Sequence, residues 1–280
     1  MRIAKWVLLV SAVGPLIASC SSSEVSGVVN GYAIEAKADL AGANLAGANL
    51  RGADLAGANL TGAILEGANL AGANLRGANL TSSYLRDANF TNAILANANL
   101  DGADVAGAIL AGVNLTGTDL TEINLEGANL AGANLTGVDL TDVDLLDVNL
   151  SNAYLADANF TLANLTGANL TGANLTGADL TNVDLEYADL TGADLTNAYL
   201  WVVRLNYASL VDADLTGANL KGSQLIDADL TGADLTNANL TNADLLGSQL
   251  EGVNLTGATL QGAIFLLADG CPSEIAHRCS

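Results

Sequence analysis

Cysteine, histidine and the carboxylates are the residues of this chain that could do chemistry, and their numbers are very unequal. There are 30 Asp and Glu residues, whereas there is one histidine, His277, and there are three cysteines. A histidine-based catalytic triad, or a zinc site built from several His and Cys ligands, needs more of these residues than the sequence holds. We therefore predict no catalytic residues, no metal site and no cofactor.

The charge balance restricts the partners. Nine Lys and Arg residues against 30 acids give a net charge of −21 across 280 residues. A chain this acidic is repelled by the phosphates of DNA and RNA, so nucleic acid is excluded as a partner. The acidic surface is also repelled by anionic membranes, so contact with a membrane needs a dedicated anchor.

Cys20 follows a segment that is typical of an export signal. A short positive region is followed by residues 6–19, which carry no charge. The stretch from Leu16 to Cys20 (LIASC) resembles a bacterial lipobox, in which the cysteine receives a diacylglycerol and becomes the new N-terminus. We predict a lipoprotein signal peptide at 1–19 and lipid attachment at Cys20, with the mature chain anchored in the cell envelope outside the cytoplasm. A plain secretory signal and an uncleaved anchor are the alternatives.

The two other cysteines lie close together at the C-terminal end. Cys271 and Cys279 are separated by seven residues. Since an exported chain can be oxidised, we predict a disulfide between them that closes a short loop. Two unpaired surface thiols are the alternative.

The middle of the chain, which must position everything else, is one repeat. Residues 36–265 form 46 consecutive five-residue units in which every fifth residue, from Leu40 to Phe265, is apolar. Ala stands two positions before it in most units, and Asn or Asp usually stands between the two. On an α-helix successive leucines would be rotated by about 140°, and on a flat strand they would alternate between faces. The pattern therefore predicts a bend in every unit, with Leu and Ala pointing inward.

Units such as that from Ala43 to Gly47 (ANLAG) resemble the A(D/N)Lxx repeats of the pentapeptide-repeat proteins, and the resemblance covers residues 36–265. It implies an all-β fold, a right-handed quadrilateral parallel β-helix with 20 residues per coil. Coils stacked about 4.8 Å apart would give a rod about 55 Å long. Residues 20–35 are expected to be the anchor linker and N-terminal cap, and residues 266–280 the C-terminal cap and tail.

Large residues replace the inward Ala on consecutive sides of two coils, and we predict that they widen the rod locally. These residues are Val113, Thr118, Ile123, Val138, Val143 and Val148.

The four-sided coil allows the surface to be sorted, because residues twenty apart stack. We name the sides by their first leucines, Leu40, Leu45, Leu50 and Leu55. The adjacent Leu40 and Leu45 sides carry seventeen acids against three basic residues, whereas the other two sides carry nine acids against two. Aromatic and apolar departures from the repeat concentrate on and around the Leu45 side, as is typical of a protein contact. Sequence drift on a solvated face is the alternative. The candidate protein-contact residues are Tyr187, Tyr199, Trp201, Arg204 and Tyr207.

The sequence is consistent with two alternative functions. The first is a non-enzymatic, lipid-anchored envelope protein whose acidic rod serves as a spacer or as a docking surface for an unknown protein partner. The second comes from the resemblance, because some pentapeptide-repeat proteins mimic duplex DNA and protect DNA gyrase from quinolones. The net charge suits such mimicry, whereas the predicted export does not. The resemblance also implies a possible end-to-end homodimer.

Overall fold

The computed structural model of the protein describes residues 27–120, 122–266, 268–273 and 275. The described chain begins with a hairpin of two strands, β1 (Gly27–Val29) and β2 (Tyr32–Ile34), which pair antiparallel. Asn30 and Gly31 connect them with φ values of 51° and 87°. An Asn-Gly pair with both φ values positive is typical of a tight two-residue hairpin turn.

The hairpin lies against the first coil of the repeat. Ile34 is buried in the same apolar core as the repeat leucines. The hydroxyl of Tyr32 accepts a hydrogen bond from the amide of Asn44 at 3.4 Å, and the side chain of Asn30 donates to the carbonyl of Asn44 at 3.4 Å. These contacts lie at the end of the rod where the sequence predicts an N-terminal cap.

Parallel β-bridges join residues twenty apart along the repeat. The series begins with Asp39 and Asn59 and continues to Gln249 and Asp269. A coil therefore contains twenty residues and four sides, which confirms the predicted four-sided parallel β-helix. The bridges are isolated, with one paired residue on each side of a coil, so the sides are shorter than ordinary strands.

A tight turn closes every five-residue unit. In the first unit the amide of Ala43 donates to the carbonyl of Leu40 at 3.0 Å, and Gly42 between them has a φ of 63°. A positive φ at the third residue alone is the signature of a type II turn. The equivalent residue has a positive φ in every unit from Gly42 to Gly262. Gly, Asn and Asp fill most of these positions because they tolerate this conformation best.

The core is a column of leucines with alanines beside them. Leu45 and Leu50 are completely buried, and so are the phenylalanines that replace leucine at positions 90 and 160. The outward residue before each leucine has a local role as well. The side-chain oxygen of Asn59, for example, accepts the amide of Thr61 at 3.3 Å, a turn-stabilising bond that explains the choice of Asn or Asp.

The backbone ladder is interrupted near the middle of the rod, where two consecutive coils carry large residues in place of the inward Ala. Among the described atoms, the amide of Leu120 does not form the bond to the carbonyl of Asp139 that the ladder requires, whereas one coil later Leu140 donates to Asn159 at 2.7 Å. The large residues stack directly on two adjacent sides at this point, so the coils are held apart.

An open cleft of about 310 Å³ lies at this interruption. Its lining residues are Thr118, Asp119, Leu120, Asp139, Thr141 and Val143. A single stacked pair of large residues does not have this effect. Val203 lies over Val183, yet the amide of Leu185 still donates to the carbonyl of Arg204 at 2.8 Å. The stacked pair of Val183 and Val203 therefore leaves this ladder bond intact.

The ends of the chain are described in part. Cys271 is disulfide-bonded, and Ile275 is buried against the end of the core. Residues 1–19, Cys20, His277 and Cys279 lie outside the described residues, so the signal peptide, the lipid attachment and the pairing of Cys271 with Cys279 stay predictions.

Candidate protein-docking surface

Two of the candidate residues, Tyr187 and Tyr207, lie one coil apart and are in direct contact. Tyr187 and Tyr207 occupy the turn that follows the Leu45 side, in successive coils. Their ring centroids are 5.1 Å apart and their ring planes differ by 9°, so the rings are stacked. Both side chains are more than half exposed, at 61% and 51%. We call this feature the Tyr187–Tyr207 corner.

Arg204 lies on the Leu45 side next to this corner and reaches back over the preceding coil. Its guanidinium nitrogens are 2.8 Å from the carboxylate of Asp184 and 2.7 Å from that of Glu186. The hydrogen bond to Glu186 and the charge of Asp184 raise the pKa of Arg204. One guanidinium thus pairs with two carboxylates, and the negative charge of the Leu45 side is partly neutralised beside the tyrosine pair.

Asn206 is a residue of this surface that the sequence analysis missed. It is nearly buried, and its side-chain amide donates to Glu186 at 2.9 Å and to Gln224 at 3.4 Å. Its side-chain oxygen accepts the amide of Ile226 at 3.0 Å. The hydrogen bond from Asn206 is the main reason why the pKa of Glu186 lies below its usual value, and Arg204 adds to the effect. An Asn in place of the usual Thr or Ala after the leucine was the available signal.

The remaining two candidate residues lie around the corner, on the Leu40 side. The ammonium group of Lys221, one coil further on, lies 5.6 Å from the ring centroid of Trp201, which is within range of a cation–π interaction. Tyr199 is exposed, and its backbone pairs with Asp179 and Asn219 in the neighbouring coils. The candidate residues therefore form a tyrosine pair, an arginine cluster and a tryptophan–lysine pair.

The backbone at this surface is unusual. Tyr187 and Tyr207 both have a φ of 62°, Val202 has 57° and Leu162 has 65°. In the described turns the other residues at this position are Gly, Asn, Asp, Ser and Glu, together with Lys37 in the first unit. A left-handed conformation costs an ordinary residue roughly 1–2 kcal/mol, and it is a true outlier for bulky or β-branched side chains.

All four of these large residues border the same side. Leu162 and Val202 lie at the corner before the Leu45 side, and Tyr187 and Tyr207 lie at the corner after it. Sparsely populated backbone conformations persist only where the surrounding structure holds them, and they cluster at functional surfaces. Their placement thus marks the Leu45 side between about residues 162 and 207 as the candidate site.

The sequence model of the family described as Pentapeptide repeats matches this chain in eight copies, which together run almost without interruption along the rod. The matched residues are 38–77, 73–110, 108–145, 144–182, 163–201, 178–222, 198–232 and 233–269. The chain belongs to the pentapeptide repeat family. Its coil is the right-handed quadrilateral β-helix of that family, as predicted.

Solved structures of other pentapeptide repeat proteins are similar to this chain. HetL, involved in heterocyst differentiation regulation in the cyanobacterium Nostoc sp. strain PCC 7120, is 35% identical; the match covers 78% of this chain and 90% of HetL, with a TM-score of 0.39. A protein of the Arabidopsis thaliana thylakoid lumen is 33% identical over 39% of this chain and 72% of its own, with a TM-score of 0.26. QnrB1, a plasmid-mediated fluoroquinolone resistance protein, is 21% identical over 70% and 91%, with a TM-score of 0.30. No curated protein sequence matches this chain significantly.

The described part of this pentapeptide repeat protein lacks two features. Its described residues contain no group of three or more His, Cys, Asp and Glu side chains placed to hold a metal ion. They also contain no helix that is both long and apolar enough to cross a membrane.

Proposed function

We propose that this pentapeptide repeat protein is a non-enzymatic, lipid-anchored envelope protein whose rigid acidic rod docks a basic partner protein at the Tyr187–Tyr207 corner. The observation that carries the proposal is the set of four large residues held in left-handed turns around one side of the rod. A turn built from Gly or Asn would avoid this backbone strain. Large exposed side chains at such positions are best explained by what they contact.

The charge of the rod supports a basic partner. The chain has a net charge of −21, and the two arginines of the Leu45 side are already paired with acids, Arg86 with Asp104 and Arg204 with Asp184 and Glu186. A field of this sign accelerates the approach of a positively charged surface and repels an acidic one. The aromatic side chains then supply the short-range contact.

The position of the corner along the rod supports a spacer role. Tyr187 lies between seven and eight coils from the start of the repeat, or about 35 Å at a coil spacing of about 4.8 Å. A lipid on Cys20 would place the membrane at the N-terminal end of the rod, about that distance from the corner. The rod would thus hold its docking surface clear of the bilayer, which is useful because an anionic bilayer surface would repel it.

The anchor is tested by the intact mass and the membrane partition of the native protein, compared with a Cys20→Ala variant. The proposal predicts a membrane-bound species that lacks residues 1–19 and carries a diacylglycerol on Cys20, and a variant without that lipid. A soluble, unmodified chain that keeps residues 1–19 would contradict the proposal. Expression level and thermal stability serve as controls, because Cys20 lies outside the repeat.

The second candidate is a DNA-mimicking protector of a DNA-binding enzyme such as DNA gyrase. The high negative charge of the rod is the observation that favours it. This candidate requires a cytoplasmic protein. A gyrase supercoiling assay with the purified chain tests it directly, and relief of quinolone inhibition would support it over the docking proposal.

A further inference from the structure

We propose that the Tyr187–Tyr207 corner contains a slot for one guanidinium group, supplied by an arginine of the partner protein, between the ring of Tyr187 and the carboxylate of Asp147. This inference rests on the proposed docking function and specifies the chemistry that the partner presents. Its basis is the column of turn residues at this corner, which stack one per coil. Around the tyrosine pair the successive residues of the column are Asp147, Gly167, Tyr187, Tyr207 and Asp227.

One face of the Tyr187 ring is open. The other face is stacked against Tyr207, so the open face is turned toward the coil of Gly167, which has no side chain. A Cβ atom built on Gly167 would have no atom of Tyr187 within 4 Å. Tyr187 is also the most exposed of the tyrosines at this surface. Space for a flat group therefore exists directly against the aromatic face.

The carboxylate of Asp147 is directed toward this space. The Oδ1 atom of Asp147 is the nearest neighbour that a Cβ on Gly167 would meet, so the carboxylate leans along the column toward the tyrosine pair. At the other end, Asp227 leans over Gly247, away from Tyr207. Of these two aspartates, therefore, only Asp147 directs a carboxylate oxygen toward the Tyr187–Tyr207 pair.

The dimensions suit a single planar cation. Asp147 and Tyr187 are two coils apart, which is about 10 Å at strand spacing. Gly167 contributes no side chain between them, and only the Asp147 carboxylate reaches into the intervening position from one end. A guanidinium is planar, stacks on aromatic faces within about 6 Å of the centroid, and pairs with a carboxylate through its edge. A lysine ammonium can pair with the carboxylate but cannot stack as a plane, so the geometry favours arginine.

The experiment titrates N-acetyl-arginine amide into the detergent-solubilised full chain, whose tyrosine rings are labelled with carbon-13 and observed by NMR. N-acetyl-citrulline amide is the uncharged control of the same shape, and N-acetyl-lysine amide is the non-planar control. We expect saturable shifts of the Tyr187 ring signals with the arginine probe, no saturable shifts with citrulline, and weaker binding of lysine.

Matched variants locate the slot. Asp147→Asn removes the charge but keeps a residue that fits a left-handed turn, and it should weaken probe binding by about two- to fivefold. Asp227→Asn makes the same change in the same column, where the carboxylate points away, and should leave binding unchanged. Gly167→Asn adds a side chain beside Tyr187 and displaces the Asp147 carboxylate, so it should abolish the Tyr187 shifts. Thermal unfolding of each variant shows that the coil is intact.

Several results would overturn the slot. They are equal binding of citrulline or lysine, equal effects of Asp147→Asn and Asp227→Asn, and saturable shifts of other tyrosines without Tyr187. The titration requires neither lipid nor partner, so it separates the two proposals. A lipidated chain that does not bind the probe rejects the slot alone, whereas an unlipidated chain that binds it rejects the envelope function alone.

Discussion

The rings of Tyr187 and Tyr207 stack with their centroids 5.1 Å apart, although the backbone of each residue is left-handed with a φ of 62°. A stacked aromatic pair contributes about 0.5–1.5 kcal/mol beyond its buried area. Two left-handed aromatic residues cost roughly 1–2 kcal/mol each. The stack therefore does not outweigh the strain that it requires, and stability alone does not explain the pair.

A double-mutant cycle measures the stack itself. We expect Tyr187→Asn, Tyr207→Asn and the double variant to reveal a coupling of about 0.5–1.5 kcal/mol in the free energy of unfolding. Each single variant loses the stacking energy, and the double variant does not lose it a second time. Asn keeps a residue that suits the turn. Chemical denaturation of the four proteins under identical conditions provides the data, and strictly additive effects would show that the rings do not stabilise each other.

Relief of backbone strain at Val202 should stabilise the rod. Val202→Asn places a residue that tolerates φ near 57°, and we expect the free energy of unfolding to rise by about 0.5–1 kcal/mol, or roughly 1–4 °C in Tm. Gly222→Val is the reverse change one coil further along the same corner. A Cβ there would meet Val202 Cγ2 at 3.8 Å, an ordinary contact, so backbone strain dominates and Tm should fall. Thermal unfolding that shows the same sign for both variants would contradict this account of the turns.

The pKa of Glu186 should depend most strongly on Asn206. The hydrogen bond from Asn206 lowers this pKa below its usual 4.5, so the ionised carboxylate stabilises the fold at neutral pH and this contribution is lost as the pH falls through the lowered pKa. Asn206→Thr, which introduces the residue common at this position, should raise the pKa toward 4.5. Arg204→Gln should raise it less. NMR titration of the side-chain carboxyl carbon tests the order, and a larger effect of Arg204→Gln would refute it.

Amide hydrogen exchange should be faster at the middle of the rod than on either side of it. The amide of Leu120 lacks its ladder bond to Asp139, whereas the amide of Leu140 bonds to Asn159 at 2.7 Å. Since exchange requires an unprotected amide, we expect Leu120 to exchange before Leu140 although both side chains are buried. Equal protection of the two amides would mean that the coils are in register throughout.

Much of the fold follows from the sequence because the turn and the core have the same period. Five residues bring each leucine back to the inside only if the chain bends once per unit, and the residue that bends, such as Gly42, must accept a positive φ. The stacking of residues twenty apart then places Tyr207 over Tyr187 and Arg204 over Asp184 from numbering alone. The count of four sides came from the resemblance to the family, because a period of five is compatible with other numbers of sides.

The sequence did not predict the direction of the long side chains. Arg204 turns back to the preceding coil to reach Glu186, and Asn206 is nearly buried although its position is usually on the surface. Both outcomes depend on which donor and acceptor atoms meet across coils, and a repeat pattern does not contain that information. The backbone strain at Tyr187 could have been inferred from the sequence, since a tyrosine stands where almost every other unit has Gly, Asn or Asp.

Site-specific photo-crosslinking in native cells tests the central claim, that one corner of the rod docks a partner, most directly. A photoreactive residue is placed at Asp227, in the column of the tyrosine pair, or at Asn237, at the diagonally opposite corner of the same coil. Both positions are exposed and have similar φ values, 55° and 59°. The account predicts one defined protein adduct in the membrane fraction from position 227 and none from position 237, with the yield reduced by Tyr187→Asn. Equal labelling from both corners, or an adduct at 227 that is unaffected by Tyr187→Asn, would contradict it.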